Sequence, residues 1–188
     1  MAKRALVPIA DGTEEIEAVC VIDTLRRADV DVTVASVMGR LQVTAARETK
    51  LVADVLIEDC ADQVYDLVAL PGGIPGAEHL RDSEVLTAIL RAQAGAGKLY
   101  AAICAAPAVA LHTHGLLSGY RATAFPAYIA ELEQAAGVEA SEDRVVVDRN
   151  VITSRGAGTA LEFALALVEA LFDAEKAHAV AERMLARR

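Results

Sequence analysis

Several short stretches of this chain are continuous apolar runs and do not alternate apolar with polar residues. Leu67–Leu70 and Leu99–Ile103 are the clearest examples. Strands that are apolar on both faces are typical of parallel sheets covered by helices on both sides, because neither face meets water. Segments with helical spacing separate these runs. The sequence therefore predicts an α/β fold, a flavodoxin-like three-layer sandwich with a mostly parallel central sheet.

The same patterns predict the order of the elements along the chain. The predicted strands are residues 3–10, 31–37, short strands between 42 and 57, 67–70, 99–103, and a hairpin of 144–147 and 151–154. The predicted helices are residues 14–28, 82–94, a segment from about 105, a piece after Pro126, 159–172 and 174–187. Because no linker, repeat or charge block divides the chain, residues 1–188 are expected to form one domain.

Composition and the amino-terminal sequence indicate where such a chain works. The longest apolar run, residues 99–111, has 13 residues and contains Pro107, so it is too short for a membrane span. Met1 to Arg4 lead directly into the first predicted strand, without the pattern of a secretion signal. We therefore expect a cytoplasmic protein without a membrane partner.

Charge and cysteine usage exclude several classes of function. The net charge of -9 disfavours a nucleic-acid partner, because binding to phosphates needs clustered lysine and arginine. Cys20, Cys60 and Cys104 are too far apart for a zinc motif and too few for a disulfide scaffold, which favours a reducing compartment. His112 and His114 have no neighbouring third ligand in the sequence, so no metal site is predicted there.

Cys104 is the first candidate for chemistry. It follows the predicted strand 99–103 directly, and Pro107 stands three residues later, which is tolerated in the first turn of a helix. Ligands bind at the carboxyl ends of parallel strands, and a helix amino terminus lowers the pKa of a thiol. The pattern predicts a reactive thiolate. The alternative, equally supported by the spacing, is a small buried apolar side chain.

Glu17 is the second candidate. It lies in the first predicted helix on one stripe with Cys20 and Thr24, while Glu14 and Glu15 suit the positive end of the helix dipole. Taken alone, this stripe favours a carboxylate at the helix edge with its head in water. The alternative is a carboxyl that points inward, where burial raises its pKa and keeps it protonated. Such a carboxyl could hydrogen-bond a thiolate or carry a proton in catalysis.

Two glycines follow the predicted strand 67–70. Glycine lets backbone N–H groups approach a ligand closely, so Gly72, Gly73 and the N–H of Ala105 form a candidate oxyanion site. A tight turn without a ligand is the equally supported alternative. Residues 155–159 lack both the lysine of a phosphate loop and the third glycine of a dinucleotide motif, so they are only a weak nucleotide signal.

Five segments carry a resemblance to a known family, in one order over nearly the whole chain. They are residues 2–7, 14–17, 70–73, 101–107 and 153–159. Together they resemble the ThiJ/PfpI superfamily, and within it the DJ-one and YajL-like branch. The sequence Ala-Ile-Cys-Ala around Cys104, with Glu-Glu-x-Glu ending at Glu17, is the most specific part.

The resemblance implies both an assembly and a set of activities. It implies a homodimer, a nucleophilic cysteine at Cys104 and a protonated glutamate at Glu17 that contacts it. It also implies glutathione-independent glyoxalase activity on methylglyoxal and glyoxal, protein deglycase activity, and a redox-responsive chaperone role, all without a cofactor. The expected partners are small reactive aldehydes, a second copy of the chain, and unfolded or glycated proteins. These activities are inherited by analogy.

The chain departs from the family pattern at two positions. Phe125 stands where the human branch has a histidine, so a residue proposed as an acid–base helper is missing. Ala105 stands where protease-like relatives have a histidine, which disfavours a cysteine–histidine dyad and peptidase activity.

Two hypotheses use the same cysteine. In the leading one, Cys104 attacks an aldehyde, Gly73 and Ala105 hold the oxyanion, and Glu17 moves protons. In the alternative, the protein is a redox sensor and holding chaperone whose Cys104 is oxidised to the sulfinic acid, stabilised by Glu17.

Overall fold

The computed structural model describes residues 2–186. The strands in this part of the chain are β1 (Arg4–Ile9), β2 (Asp31–Ser36), β3 (Gln42–Thr44), β4 (Lys50–Val52), β5 (Val55–Leu56), β6 (Leu67–Leu70), β7 (Leu99–Ile103), β8 (Arg121–Ala122), β9 (Glu139–Ala140), β10 (Val145–Asp148) and β11 (Val151–Ser154).

The helices are α1 (Glu15–Arg27), α2 (Gly76–Asp82), α3 (Glu84–Gly95), α4 (Ile129–Gln134), α5 (Ala160–Leu171) and α6 (Ala174–Arg183). Four shorter helical segments complete the description: 3-10 turns at Ile57–Cys60, Pro126–Tyr128 and Ala157–Thr159, and a π-helical segment at Pro107–His112. Of the helices within residues 2–186, none combines the length and the apolar character that crossing a bilayer requires.

A seven-stranded sheet forms the centre of the molecule, in the order β10-β11-β7-β6-β1-β2-β5. All neighbouring strands in it are parallel except the β10–β11 hairpin. The two remaining pairs, β3 with β4 and β8 with β9, lie outside this sheet. The predicted mostly parallel sheet is confirmed. Its carboxyl edge brings the ends of β6, β7 and β11 side by side, and there Ile103 pairs with Ser154.

Each face of the sheet is covered by its own apolar layer. On one face α1, α5 and α6 bury side chains such as Leu25, Phe163 and Val168. On the other face α2 and α3 bury side chains such as Leu80 and Leu90. Burying a side chain of this size stabilises the fold by about 1.5–3 kcal/mol. This arrangement confirms the three-layer sandwich.

Two helix boundaries differ from the sequence prediction. The predicted helix 82–94 is α3, which begins at Glu84 because Ser83 is extended (ψ 108°) and its side chain accepts a hydrogen bond from the Leu86 N–H; the separate helix α2 before it was not predicted. The last helix, predicted to reach residue 187, ends at Arg183 because Leu185 takes a φ of +55°, which a right-handed helix does not allow. Residue 187 itself lies outside the described residues.

The β3–β4 ribbon packs over the amino end of α1. The Gly12 N–H donates to the Thr44 carbonyl, and the Ala46 N–H donates to the Thr13 carbonyl, each at 2.8 Å. These two backbone hydrogen bonds join the ribbon to the residues that directly precede α1, and they fix the position of its turn relative to the helix. The turn therefore lies close to the carboxyl edge of the sheet.

Candidate active site

Cys104 occupies the turn that leaves β7 at the carboxyl edge of the sheet. Its backbone has a φ of +65°, a left-handed conformation that costs a residue with a Cβ atom about 1–2 kcal/mol. Hydrogen bonds on both sides hold it there: the Cys104 N–H donates to the Ser154 carbonyl at 3.0 Å, and the Cys104 carbonyl accepts from the Phe125 N–H at 2.7 Å. The sharp turn places the thiol at the sheet edge, as the sequence predicted for this residue.

Glu17 approaches Cys104 from the first turn of α1. The helix begins at Glu15 because the Glu14 side chain accepts a hydrogen bond from the Ile16 N–H. Glu17 is fully buried, and its Oε2 accepts from the Gly72 N–H at 2.8 Å. The inward-pointing alternative is therefore the one that the structure adopts, and a carboxylate with its head in water is wrong.

Gly72 and Gly73 leave the space in which this contact forms. A Cβ atom on Gly72 would lie 2.6 Å from the Cβ of Cys104 and 3.0 Å from Glu17 Oε2. Gly73 has a φ of +89°, and a Cβ there would lie 2.3 Å from the Gly12 carbonyl oxygen. The distances of 2.6 Å and 2.3 Å are too short for a real Cβ atom, so both positions require glycine.

The groups named by the sequence lie around the thiol of Cys104. The Glu17 carboxyl and the backbone N–H groups of Gly73 and Ala105 are close enough to shift the pKa of this thiol, the carboxyl upward and the two N–H groups downward. The second carboxyl oxygen, Glu17 Oε1, is buried without a hydrogen-bond partner among residues 2–186. A proton on the Glu17 carboxyl would lower the cost of burying this unpaired oxygen.

The electrostatics of this pair follow from its burial. Burial raises the pKa of the Glu17 carboxyl from 4.5 to about 7. Burial, and then the negative charge of Glu17, raise the pKa of the Cys104 thiol to about 12. Removing a second proton from the pair would place two negative charges in one buried site. Above about pH 7 the pair therefore retains one proton between sulfur and oxygen.

The expectation that a helix amino terminus lowers the pKa of Cys104 is wrong. The π-helical segment begins only at Pro107, and burial together with Glu17 outweighs the N–H groups of Gly73 and Ala105, which lower the pKa of the thiol. A thiolate at this site therefore depends on the transfer of its proton to Glu17.

A cavity of about 360 Å³ gives access to the pair from outside. Cys104 and Glu17 line it together with Glu14, Arg47 and Phe125. Phe125 is 43% exposed, and its ring offers no group that could accept or donate a proton. Within this cavity the Glu17 carboxyl is thus the acid that touches the thiol.

Residues 155–159, the glycine-containing segment that directly follows β11, support the turn at Cys104. The Ser154 hydroxyl hydrogen-bonds the Thr159 hydroxyl at 2.6 Å, while the Ser154 carbonyl binds the Cys104 N–H. The Gly158 carbonyl accepts from the Arg144 guanidinium at 2.9 Å. These contacts give the segment a structural role in the described part of the chain.

Comparison with known proteins identifies the family of the chain. A family model described as the DJ-1/PfpI family matches residues 3–170. The chain belongs to the DJ-1/PfpI family. The resemblance seen in the sequence is thereby confirmed.

Relatives in this family cover nearly all of the chain. Protein DJ-1 homolog B of Arabidopsis thaliana is 53% identical over 171 residues, which are 91% of this chain and 38% of that protein. The Parkinson disease protein 7 homolog of Danio rerio is 45% identical over 93% of each chain. This chain thus spans less than half of the plant relative, and nearly all of the fish relative.

Another relative has a solved structure with the same fold, and one relative is named after an enzymatic activity. The structure of oxidized Toxoplasma gondii DJ-1 matches with a TM-score of 0.95 and 46% identity over 100% of both chains. A relative from Caenorhabditis elegans, 35% identical over 93% of this chain and 91% of its own length, is named glutathione-independent glyoxalase DJR-1.2.

Sequence reasoning missed several residues that line the DJ-1/PfpI cavity. Arg47 and Ile74 come from turns without a motif, and Ala157 comes from the segment considered for nucleotide binding. Only the folding of the β3–β4 turn over α1 brings Arg47 to this place. The sequence predicts Glu14 as a helix-start acid, and its cap of α1 confirms this; the structure also places Glu14 on the cavity.

Proposed function

We propose that this protein converts methylglyoxal and glyoxal to lactate and glycolate without glutathione, metal or another cofactor. One observation carries the proposal: the Cys104 thiol, the Glu17 carboxyl and the N–H groups of Gly73 and Ala105 lie together at a cavity of about 360 Å³, which is large enough to admit a small aldehyde. The name of the C. elegans relative supports the same reaction.

The first step is addition of sulfur to the aldehyde carbon. Glu17, as carboxylate, accepts the thiol proton, so the pair keeps a single negative charge while that charge moves to sulfur. The sulfur attacks the aldehyde carbon, and the carbonyl electrons move to oxygen. The N–H groups of Gly73 and Ala105 stabilise the oxyanion until Glu17 returns the proton. The product of this step is a hemithioacetal.

The second step moves hydrogen between the two carbons of the adduct. Glu17 removes the proton from the carbon bound to sulfur, giving an enediol, and a proton returns at the neighbouring carbon. The adduct becomes a thioester of the hydroxy acid. Water then hydrolyses the thioester, releasing the acid and restoring the Cys104 thiol. The gain of oxidation at one carbon equals the loss at the other, so no external oxidant is needed.

The same groups would act on early adducts of aldehydes with proteins. The C–N bond of an aminocarbinol, or the C–S bond of a hemithioacetal, breaks as the protein amine or thiol leaves with a proton; the Cys104 sulfur then bonds to the released aldehyde carbon, and the later steps are unchanged. Glycated proteins are therefore the proposed macromolecular substrates, and this deglycase activity depends on Cys104 and Glu17 as the glyoxalase activity does.

The test of the proposal is lactate formation from methylglyoxal in the absence of glutathione. We expect multiple turnovers in the wild type and none in Cys104→Ser, which keeps the shape of the site but removes the nucleophile. Cys60→Ala is the matched control, because it removes a thiol away from the cavity and should retain turnover. Equal lactate formation by wild type and Cys104→Ser would refute the proposal.

A redox-sensing holding chaperone is the second candidate. Its support is that the donors around the Cys104 sulfur suit the oxygens of a sulfinic acid, and that a matching relative was solved in a form described as oxidized. Suppression of client aggregation that depends on peroxide and on Cys104, without lactate formation, would favour this candidate.

We also propose a homodimer of one-domain, cytoplasmic subunits spanning residues 1–188. Ile16 and Val19 on α1, and Val52 on β4, are apolar side chains about half or more exposed to solvent. A second copy would remove this surface from water. Light scattering should report about twice 19.8 kDa, and a monomer at micromolar concentration would contradict the proposal.

A further inference from the structure

Arg47 is the cationic residue among the described residues that line the Cys104 cavity. Its charged neighbours on this cavity are Glu14 and Glu17, both acids. The whole chain is acidic, with 27 acidic against 18 basic residues. Arg47 is therefore a positive charge in otherwise acidic surroundings, which suggests that it binds an anion.

The backbone of Arg47 is held firmly in place. Its N–H donates to both carboxyl oxygens of Glu15, at 3.0 and 3.1 Å, and Glu15 is nearly buried in the first turn of α1. Glu15 precedes Glu17 by two residues on the same helix. The β3–β4 turn is therefore tied to the helix that carries the acid of the pair.

The guanidinium of Arg47, by contrast, makes no ion pair within residues 2–186. Its one hydrogen bond runs from Nη1 to the carbonyl of the preceding Ala46, at 3.2 Å. Nine other arginines of the described chain lie within ion-pair distance of a carboxylate. Arg47 thus combines a fixed backbone with a free charged head at the cavity.

We propose that Arg47 binds the carboxylate of a ligand in this cavity, so that Cys104 reacts preferentially with aldehydes and other electrophiles that carry a carboxylate. A guanidinium offers two parallel N–H donors to a carboxylate, a geometry that an ammonium lacks. The preference for aldehydes rests on the proposed function, whereas carboxylate binding by Arg47 does not depend on it.

Two alkylating reagents of nearly equal size separate charge from reactivity. Iodoacetate and iodoacetamide both transfer a methylene carbon to sulfur with loss of iodide, and only iodoacetate carries a negative charge. The measurement is the alkylation rate of Cys104 by peptide mass analysis, and Cys20 and Cys60 in the same sample serve as internal references.

We expect Arg47→Ala to lower the ratio of the iodoacetate rate to the iodoacetamide rate at Cys104 by about tenfold, a typical effect for one charge-assisted contact. Arg47→Lys should give an intermediate ratio, because it keeps the charge but not the paired donors. Glu14→Gln should raise the ratio, since it removes a negative charge from the same cavity.

Arg91→Ala is the matched control. Arg91 lies exposed on α3, lines a different cavity, and has no ion pair within residues 2–186, so its loss changes the net charge equally. An unchanged ratio in Arg47→Ala, or an equal fall in Arg91→Ala, would overturn the proposal. Alkylation needs no turnover, so absence of glyoxalase activity would leave this result standing. Conversely, if Arg47→Ala left the ratio of the two alkylation rates unchanged while the wild type formed lactate normally, the carboxylate-binding role of Arg47 would be refuted and the proposed function would stand.

Discussion

Cys60 and Cys104 are two largely buried thiols in very different surroundings. Cys60 ends the 3-10 turn Ile57–Cys60, is 1% exposed, and has its sulfur 3.9 Å from the carbonyl oxygen of Leu56. Burial raises the pKa of the Cys60 thiol, as it does for Cys104. Burial and a raised pKa are thus common to both thiols, so neither distinguishes a reactive cysteine from a structural one.

The two thiols differ in their neighbours: only Cys104 lies beside a carboxyl that can accept its proton and N–H groups that can stabilise a negative charge. The Cys104 thiol touches the Glu17 carboxyl, whose pKa of about 7 lets it take or give a proton near neutrality. Two backbone N–H groups also point at its sulfur, and a cavity leads to it. We infer that reactivity at this site comes from a proton acceptor inside the site and not from a thiol that is acidic by itself.

The largest effect is expected from Glu17→Gln, which would make the surroundings of Cys104 more like those of Cys60. Glutamine keeps an oxygen for the Gly72 N–H but cannot exchange a proton with sulfur. General acid–base catalysis contributes about 10²- to 10⁴-fold, so kcat for lactate formation should fall by that factor. Steady-state kinetics on methylglyoxal measure it, with Cys60→Ala expected to match the wild type. Should kcat survive in Glu17→Gln, another group carries the proton.

A second expected effect is a pH dependence of stability that belongs to Glu17 alone. Because its pKa is about 7 in the folded protein and 4.5 as reference, the folded state binds more protons between these values. The free energy of unfolding therefore falls as pH rises through this range, by about 2–3 kcal/mol between pH 5 and 8. Glu17→Gln removes this loss, so its stability relative to wild type should increase from pH 5 to 8.

Denaturant unfolding at several pH values provides the measurement. Cys60→Ala should differ from wild type by a constant amount between pH 5 and 8, because burial raises the pKa of Cys60 above its ordinary value of 9.0. A constant difference for Glu17→Gln as well would mean that Glu17 does not titrate in this range.

A third effect concerns the order of oxidation. Limited peroxide should produce sulfinate at Cys104 about tenfold faster than at Cys60 or Cys20, because only the first has a proton acceptor and N–H donors at sulfur. Peptide mass analysis over time gives the rates. In Glu17→Gln the advantage of Cys104 should largely disappear. Equal rates at all three thiols in the wild type would contradict the inference that the groups around Cys104 make it the most reactive thiol.

The layered fold and the position of Cys104 were predictable because they depend on local patterns. Leu67–Leu70 and Leu99–Ile103 are apolar on both faces, which only a covered parallel sheet satisfies. Helix α2 was not predicted, because it is only seven residues long, follows a glycine- and proline-containing turn, and has no side-chain cap at its start.

The chemistry of the site was harder to predict than its location. The stripe that contains Glu17 is compatible with an exposed carboxylate, and its burial depends on tertiary contacts such as the hydrogen bond from the Gly72 N–H in the turn after β6. The pKa of Cys104 was predicted in the wrong direction, because the helix dipole is a local feature whereas burial and Glu17 are tertiary ones. Arg47 reaches the cavity through a hairpin turn, which no local pattern indicates.

The smallest effect is expected from Phe125→His, which adds an imidazole to the Cys104 cavity, whose described lining contains no histidine. Phe125 lines the cavity, and its N–H holds the Cys104 carbonyl, a contact that the backbone retains in any variant except proline. If Glu17 moves the protons, histidine should change kcat by no more than about threefold, well below a full general-base contribution. Steady-state kinetics with methylglyoxal, beside Phe125→Leu as an apolar control, measure it. A rise of about a hundredfold, the scale of a complete catalytic base, would mean that the native cavity lacks its main proton carrier. The oxidation-sensing role of Cys104 would then be the better account of why this thiol, unlike Cys60, is surrounded by donors.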